Sequence, residues 1–149
     1  MIRVQREDFD LGAELKALTE GNPSIGGVTS FVGLVRDRAD SEAISGMTLE
    51  HYPGMTERAI SAIVEEARGR WSVIDCTVIH RYGELAPGDQ IVLVAVASAH
   101  RGDAFAACEF IMDYLKTRAT FWKKEHRASG ATWVEARGAD DEAAERWRQ

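Results

Sequence analysis

HRGDAFAACEFIMDYLKTRATFWKKE, residues 100–125, decides the fold because it connects a predicted strand, a predicted helix and a second predicted strand. The apolar run of residues 90–99 before it lacks polar alternation, which predicts a strand buried on both faces. Apolar residues within the stretch recur at helical spacing and predict an inner helix face made of Ala104, Ala107, Cys108, Ile111 and Leu115. A His-Arg pair precedes this helix and Lys116 ends it. The stretch therefore predicts a helix-covered sheet with cationic side chains at both ends of one helix.

The residues on either side of this stretch supply the other predicted elements. Periodicity predicts helices over residues 10–20, 55–70 and 139–147, and strands over residues 26–36, 46–52, 75–82, 119–124 and 132–136. Glycines from Gly26 onward would let a second backbone approach their strand closely. The polar segment 37–45 has no clear period and predicts a mobile loop. The last two strands would form a hairpin that turns near residues 129–130.

The order of these elements indicates the fold class. Strands and helices alternate only in part and a hairpin comes late, which fits an α+β fold and not a doubly wound parallel sheet. We expect helices packed on a mixed sheet, with two helices on one sheet and a β-hairpin added. No linker, repeat or low-complexity tract divides residues 1–149, so the chain predicts a single domain.

The composition argues against several function classes. The formal net charge of -6 argues against general nucleic-acid binding, because phosphate backbones require a basic face. No apolar run approaches the roughly 20 residues of a membrane helix. The first ten residues lack the pattern of a signal peptide, so we expect a cytoplasmic protein. Cys76 and Cys108 have no zinc-site spacing and predict buried free thiols.

Cationic residues gather at the ends of predicted elements. Because the scaffold holds such ends in place, these side chains could converge on one anion even in an acidic protein. Arginine offers a planar fork for phosphate or carboxylate, and lysine a mobile point charge. The alternative is that they are ordinary solvated charges. The set comprises Arg36, His100, Arg101, Lys116, Lys123, Lys124 and Arg137.

Lys116 allows two interpretations. Nearby Arg118 and the aromatic pair Phe121-Trp122 favour a partly neutral amine, which can act as a base or a nucleophile. Alternatively, Lys116 complements the helix dipole and pairs with Asp113. The spacing leaves both interpretations open. No HxxxH, HxH, Walker or GxGxxG pattern offers a competing site.

Six strings of residues, in this order and spacing, closely resemble the large, catalytic subunit of molybdopterin synthase. They are SFVGLVRD, LEHYPGMTERAI, VIHRYGELAPGD, SAHR, FIMDYLKTRATFWKKE and WVEAR. The resemblance covers about residues 26–147, and LEHYPGM together with DYLKTRATFWKKE is highly specific. The first 25 residues and the segment 37–45 are less diagnostic. Thr120 stands where a proline is common in the family.

This resemblance implies a fold, a reaction and partners. Family members have an α/β-hammerhead fold, dimerise through the large subunit and bind one small ubiquitin-like sulfur-carrier protein at each end. The carrier's C-terminal Gly-Gly tail, as a thiocarboxylate, enters a pocket of the large subunit. Two sulfur transfers then convert cyclic pyranopterin monophosphate into molybdopterin, whose dithiolene later holds molybdenum or tungsten. The resemblance implies no metal and no other cofactor for this step.

The resemblance also implies roles for individual residues. Lys116 matches the central catalytic lysine and Lys123 a second lysine of the same pocket. Substrate-binding positions match Arg36, His100 and Arg101. The remaining implied contacts are Phe31 and Met112 on the pocket wall, Leu34, Val35, Lys124 and Glu125 next to these residues through the backbone or a second layer of contacts, and Arg137, which would reach the pocket from the dimer partner.

A non-catalytic function is the alternative. A dimeric module that binds a phosphorylated ligand or a ubiquitin-like tail without reacting would need the same cationic pocket. The two functions differ in whether both Lys116 and Lys123 are required and in whether sulfur enters the pterin. The specific motifs favour the enzyme, and the lack of a basic stripe with interleaved aromatic residues disfavours a nucleic-acid binder.

Overall fold

The computed structural model describes residues 1–134 and 138–148, which form nine strands, four α-helices and one 3-10 helix. The strands are β1 (Ile2–Gln5), β2 (Gly27–Leu34), β3 (Arg38–Ala39), β4 (Glu42–His51), β5 (Val73–Arg81), β6 (Gly83–Leu85), β7 (Gln90–Ser98), β8 (Phe121–Arg127) and β9 (Gly130–Val134). The helices are α1 (Leu11–Thr19), α2 (Met55–Arg70), α3 (Arg101–Thr117) and α4 (Gly138–Glu145), followed by the 3-10 helix Arg146–Arg148. The predicted α+β class is confirmed.

The first sheet has four strands in the order β1-β5-β7-β2. β1 runs parallel to β5, whereas β7 is antiparallel to both of its neighbours, so the predicted mixed sheet is confirmed. Residues 92–98 of the central strand β7 are all buried, as its unbroken apolar run predicts. The close approach at Gly26 is also confirmed, because a Cβ there would lie 2.0 Å from the Ala99 carbonyl oxygen.

Helices cover both faces of the first sheet. On one face, α2 and α3 pack through residues such as Ile60 and Ile111, which confirms that two helices cover one sheet. On the other face, Leu18 of α1 packs against Leu93 of β7. The Asp10 carboxylate begins α1 by accepting a 3.0 Å hydrogen bond from the backbone of Ala13. None of the helices in the described ranges is long and apolar enough to cross a membrane.

The buried face of α3 is wider than its periodicity predicts. Phe110 and Tyr114 are buried in addition to the five expected residues. Phe110 packs edge-on against Trp71 and Trp147, because the C-terminal segment lies along a second side of α3. The buried face therefore covers a second side of the helix, while Phe105 and Glu109 stay exposed. Cys76 and Cys108 are free and buried in the same core, as predicted.

The second sheet has the order β3-β4-β8-β9, and β6 pairs with β4. The predicted mobile loop over residues 37–45 is wrong, because β3 and the start of β4 form an antiparallel pair with Ala39 opposite Glu42. Asp40 makes the tight turn between them at a φ of 57°, and Ile44 is buried. The predicted late hairpin is confirmed as β8 and β9, but it extends β4 in this second sheet and not the first sheet.

Thr56 connects the first turn of α2 to the chain segment between α3 and β8. Its side chain is buried, and its hydroxyl accepts a 3.0 Å hydrogen bond from the Tyr52 N–H. The same hydroxyl donates a 2.9 Å bond to the Thr120 carbonyl. Thr120 thus supplies a carbonyl that anchors the start of β8.

We expect Thr56→Val to lower the free energy of unfolding by about 1–3 kcal/mol, because it leaves the Tyr52 N–H and the Thr120 carbonyl without their buried partner. Urea denaturation measures the change. Thr132→Val, at an exposed strand position, is the matched control and should stay within about 0.5 kcal/mol of the parent. Equal effects of the two substitutions would contradict the role given to Thr56.

Candidate active site

A cavity of about 360 Å³ opens between the last turn of α3, the end of β2 and the second sheet. This volume lies in the range of small-molecule sites. Its charged lining comprises the cations Arg36, Arg38, Lys116 and Lys123 and the carboxylates Glu125 and Asp140. Four positive charges against two negative ones make this wall cationic although the whole chain carries a net charge of -6. The cavity therefore suits an anionic ligand.

A second cavity of about 400 Å³ adjoins the first. The two share a wall formed by Leu34, Arg36, His80, Ile91, Leu115 and Lys116. The rest of the second cavity is apolar and includes the predicted wall residues Phe31 and Met112. We call the first the cationic cavity and the second the apolar cavity. Lys116 stands where they meet.

The backbone before Arg36 is held by a neighbouring turn. The N–H of Val35 donates to the Asp89 carbonyl at 2.9 Å, and the N–H of Gly88 donates to the Val35 carbonyl at 2.8 Å. Val35 itself is buried and lines neither the cationic nor the apolar cavity. The hydrogen bonds of Val35 thus hold the backbone next to Arg36, and the Val35 side chain does not contact a ligand in these cavities.

Lys116 lies exposed in the last turn of α3. The predicted pairing with Asp113 is wrong, because the Asp113 carboxylate accepts hydrogen bonds from Arg146 at 2.8 Å and from the Trp147 ring nitrogen at 2.7 Å. Within residues 1–134 and 138–148, Lys116 makes no side-chain hydrogen bond or ion pair. The amine is therefore available to a ligand in either cavity.

Strand alternation divides the cluster of charges on β8. Lys123 and Glu125 are two residues apart and both line the cationic cavity. Lys124 lies between them on the opposite face, where its Nζ is 5.4 Å from the centre of the Trp133 ring. The Lys124 side chain therefore points away from the cavity, and its predicted contribution through the backbone or a second layer of contacts stays a prediction.

Glu125 is almost completely buried at the edge of the cationic cavity. Arg127 Nη2 donates to its Oε1 at 2.7 Å, and the Glu125 carboxylate raises the pKa of Arg127 mainly through this bond. Arg127 also lies 3.6 Å from Glu42. A buried carboxylate needs such a partner, so Arg127 fixes the position of Glu125 in the cavity.

His80, at the end of β5, lies in the wall shared by the two cavities. Its ring stacks on Phe121 with centroids 3.7 Å apart and planes inclined by 20°. Its Nδ1 is 2.9 Å from the Arg81 carbonyl oxygen. Burial is the main cause that lowers the pKa of His80 to about 4; the positive charge of Lys116 acts in the same direction and the hydrogen bond to the Arg81 carbonyl opposes it. His80 is therefore a neutral imidazole at physiological pH.

His100 and Arg101 lie at the opposite end of α3 from Lys116. Lys116 follows Arg101 by 15 residues, which places them roughly 22 Å apart along a helix that rises about 1.5 Å per residue. Neither His100 nor Arg101 lines the cationic or the apolar cavity. His100 and Arg101 are therefore too far away to share a ligand with Lys116 of the same chain, and their assignment to the substrate stays a prediction. Arg137 lies outside the described residues.

Three titratable residues of the cationic cavity escaped the sequence analysis: Arg38, His80 and Asp140. Arg38 lies in the segment mistaken for a mobile loop, so its fixed position on β3 could not be expected. His80 follows the apolar residues of β5 just as His51 follows those of β4, so the sequence pattern alone gives it no special role. Only the packing of β5 against the end of α3 and the start of β8 distinguishes His80 from His51, which lines neither cavity.

Comparison with known proteins shows what the chain resembles. The family model described as "MoaE protein" matches residues 4–118. A protein of Ralstonia nicotianae named molybdopterin synthase catalytic subunit is 64% identical over 98% of this chain and 83% of its own length.

Solved structures with the same fold extend this likeness. The molybdopterin biosynthesis MoaE protein of Burkholderia ambifaria superimposes with a TM-score of 0.85 and 56% identity, covering 99% of this chain and 97% of that one. Molybdopterin synthase from Staphylococcus aureus gives a TM-score of 0.82 at 29% identity, over 89% of this chain and 95% of that one.

Proposed function

The chain belongs to the MoaE protein family, whose relatives are molybdopterin synthase catalytic subunits, and from this premise we propose how its two cavities carry out the reaction. The enzyme is a sulfurtransferase of molybdenum cofactor biosynthesis. In two successive transfers, each from the thiocarboxylated C-terminus of a small ubiquitin-like carrier subunit, it moves two sulfur atoms to cyclic pyranopterin monophosphate and forms the molybdopterin dithiolene.

The position of Lys116 between the two cavities is the observation that carries the proposal. The cationic cavity binds the phosphate of the pterin through charge complementarity with Arg36 and Lys123. The apolar cavity admits the narrow Gly-Gly tail of the carrier, whose small residues need little space. Donor and acceptor thus meet at Lys116, which moves protons or stabilises the developing charge while sulfur is delivered.

The cysteines of the chain support direct transfer from carrier to pterin. A relay of sulfur through the enzyme would require a thiolate at the cavity. The chain has two cysteines, and both lie in the core away from the cavities. Burial raises the pKa of Cys76 to about 11 and that of Cys108 to about 12, so both remain protonated thiols. Neither suits a sulfur relay.

A homodimer would complete the site. His100 and Arg101 lie too far along α3 to contact a ligand beside Lys116 of the same chain. We propose that they reach the cationic cavity of a second copy, as the family correspondence implies for Arg137. Each site would then combine Lys116 and Lys123 of one chain with cations of the other.

The proposal involves no metal and no organic cofactor, because the carrier thiocarboxylate supplies the sulfur. The partners are the carrier subunit, a second copy of the chain and the pterin, with neither nucleic acid nor a membrane taking part. We place the reaction in the cytoplasm.

Anaerobic incubation of the purified protein with thiocarboxylated carrier and cyclic pyranopterin monophosphate tests the function. We expect the dithiolene product by mass spectrometry and none with a carrier that ends in an ordinary carboxylate. Binding of both partners without any sulfur in the pterin would instead favour the non-catalytic module.

A further inference from the structure

His80 occupies the shared wall of the two cavities, yet the proposed reaction assigns it no role. Two contacts fix the position of its side chain. The imidazole stacks on the Phe121 ring, and its Nδ1 is hydrogen-bonded to the Arg81 carbonyl. A side chain held in this way can present one defined atom to a ligand.

The partner of Nδ1 determines the tautomer. A carbonyl oxygen only accepts hydrogen bonds, so Nδ1 must carry the ring proton when it bonds to the Arg81 carbonyl at 2.9 Å. Because the ring is neutral, the other nitrogen, Nε2, then has an unprotonated lone pair. It can accept a hydrogen bond but cannot donate one.

Nε2 is open to a ligand. Within residues 1–134 and 138–148 it has no hydrogen-bond partner. It is not sealed in the core either, because the unpaired buried side-chain atoms of those ranges are the Nε atoms of Arg3 and Arg127. Since His80 lines both cavities, its free lone pair is exposed at their common wall.

Few side chains near His80 can accept a hydrogen bond from a ligand. Arg36, Lys116 and Lys123 can only donate hydrogen bonds, so they recognise the anionic part of a ligand and none of its N–H or O–H groups. The Glu125 carboxylate is already engaged by Arg127, and the Asp140 carboxylate lines only the cationic cavity. His80 is therefore the titratable acceptor at the wall that the two cavities share, where a ligand that carries both an anion and a donor group can reach it beside the cations.

We propose that His80 Nε2 accepts a hydrogen bond from an N–H or O–H group of the pterin, so that His80 selects a donor-bearing heterocycle over a simple phosphate. This inference rests on the proposed function. It makes His80 a specificity-determining contact and assigns it no proton transfer. Inorganic phosphate, which the cations alone recognise, should be indifferent to His80.

Two substitutions separate the lone pair from the stacked ring. His80→Phe keeps a ring against Phe121 but has no acceptor, whereas His80→Gln lacks the ring but places an amide oxygen near the former Nε2. We expect His80→Phe to raise KM for the pterin about tenfold, the effect of one lost hydrogen bond, with a smaller change in kcat. His80→Gln should stay within about threefold of the parent KM. Competitive inhibition by inorganic phosphate should be the same in both variants.

His51→Phe is the matched control. Like His80, His51 lies at the end of a strand and contacts an aromatic ring, since its ring centroid is 4.2 Å from that of Tyr82. Unlike His80, it lines neither cavity. We expect an unchanged KM for the pterin. An effect as large as that of His80→Phe would overturn the specific role of His80.

The opposite ranking, with His80→Phe normal and His80→Gln impaired, would overturn the proposal in favour of a stacking role. Loss of sulfur transfer in the parent protein would instead reject the proposed function. Nitrogen NMR of ¹⁵N-histidine-labelled parent protein provides a test that does not depend on the folding of any variant. The Nε2 resonance should be that of an unprotonated nitrogen and should shift on addition of the pterin; an unaffected Nε2 resonance would overturn the inference.

Discussion

Lys116→Ala is expected to lower the rate of molybdopterin formation by roughly 10²–10⁴-fold, the usual contribution of a positioned acid-base group. The reason is its place at the junction of the two cavities, where it is the amine shared by both walls. Carrier affinity should change little, because a single exposed lysine contributes little to a protein interface. Single-turnover assays with pre-thiocarboxylated carrier and a separate binding titration measure the two effects.

Two further variants sharpen this prediction. Lys16→Ala removes a lysine of α1, on the other side of the first sheet, and should leave the rate unchanged. Lys116→Arg retains the charge but cannot give up a proton near neutral pH. Activity retained in Lys116→Arg would assign Lys116 to charge stabilisation, and activity lost would assign it to proton transfer. Full turnover in Lys116→Ala would remove it from the mechanism.

Mixing two inactive variants, Lys116→Ala and Arg101→Ala, is expected to restore about a quarter of the parent activity. Random reassortment makes about half of the dimers hybrid, and each hybrid has one site with both defects and one intact site. This result requires that Arg101 serve the cavity of the other copy. The separation of the two residues along α3 leaves no other way for both to contact one ligand.

The control for this experiment comes from the same cavity. Lys116 and Lys123 line one cavity of one chain, so mixing Lys116→Ala with Lys123→Ala leaves one defect in every site of the hybrid. We expect no recovery of activity in that mixture. Failure of the Arg101→Ala mixture to recover, although mass spectrometry detects hybrid dimers, would show that Arg101 does not act across the dimer.

The elements that could be predicted are those whose pattern is local. The helix faces of α2 and α3 follow from spacings of three and four residues, and the burial of β7 follows from its unbroken apolar run. The short strands β1 and β3 escaped prediction because they are strands only through their hydrogen bonds to neighbouring strands, and their own residues show no pattern. β1 is a strand by virtue of β5, more than 70 residues away, and β3 has only two residues in which no alternation can be seen.

The sequence predicted which residues belong to the site better than it predicted where their side chains point. Motif resemblance brought Lys116, Lys123 and Arg36 into one group, and the structure places all three around the cationic cavity. It also grouped Lys124 with them, although strand alternation turns that side chain to the opposite face. Chain proximity of two residues says little about the direction of their side chains.

The sequence by itself determined the family, the α+β class and the central helix with cations at both ends. The separation of these ends follows from the length of the predicted helix, since each residue adds about 1.5 Å. Only the tertiary structure decided that both cavities lie at the Lys116 end, because the end of β2 and the second sheet pack there. Only the tertiary structure, too, gave His80 its neutral ring and exposed lone pair. The ring is neutral mainly because packing buries it, and Phe121, which stacks on it, lies 41 residues further along the chain. The adjacent Arg81 carbonyl then fixes which ring nitrogen keeps the lone pair.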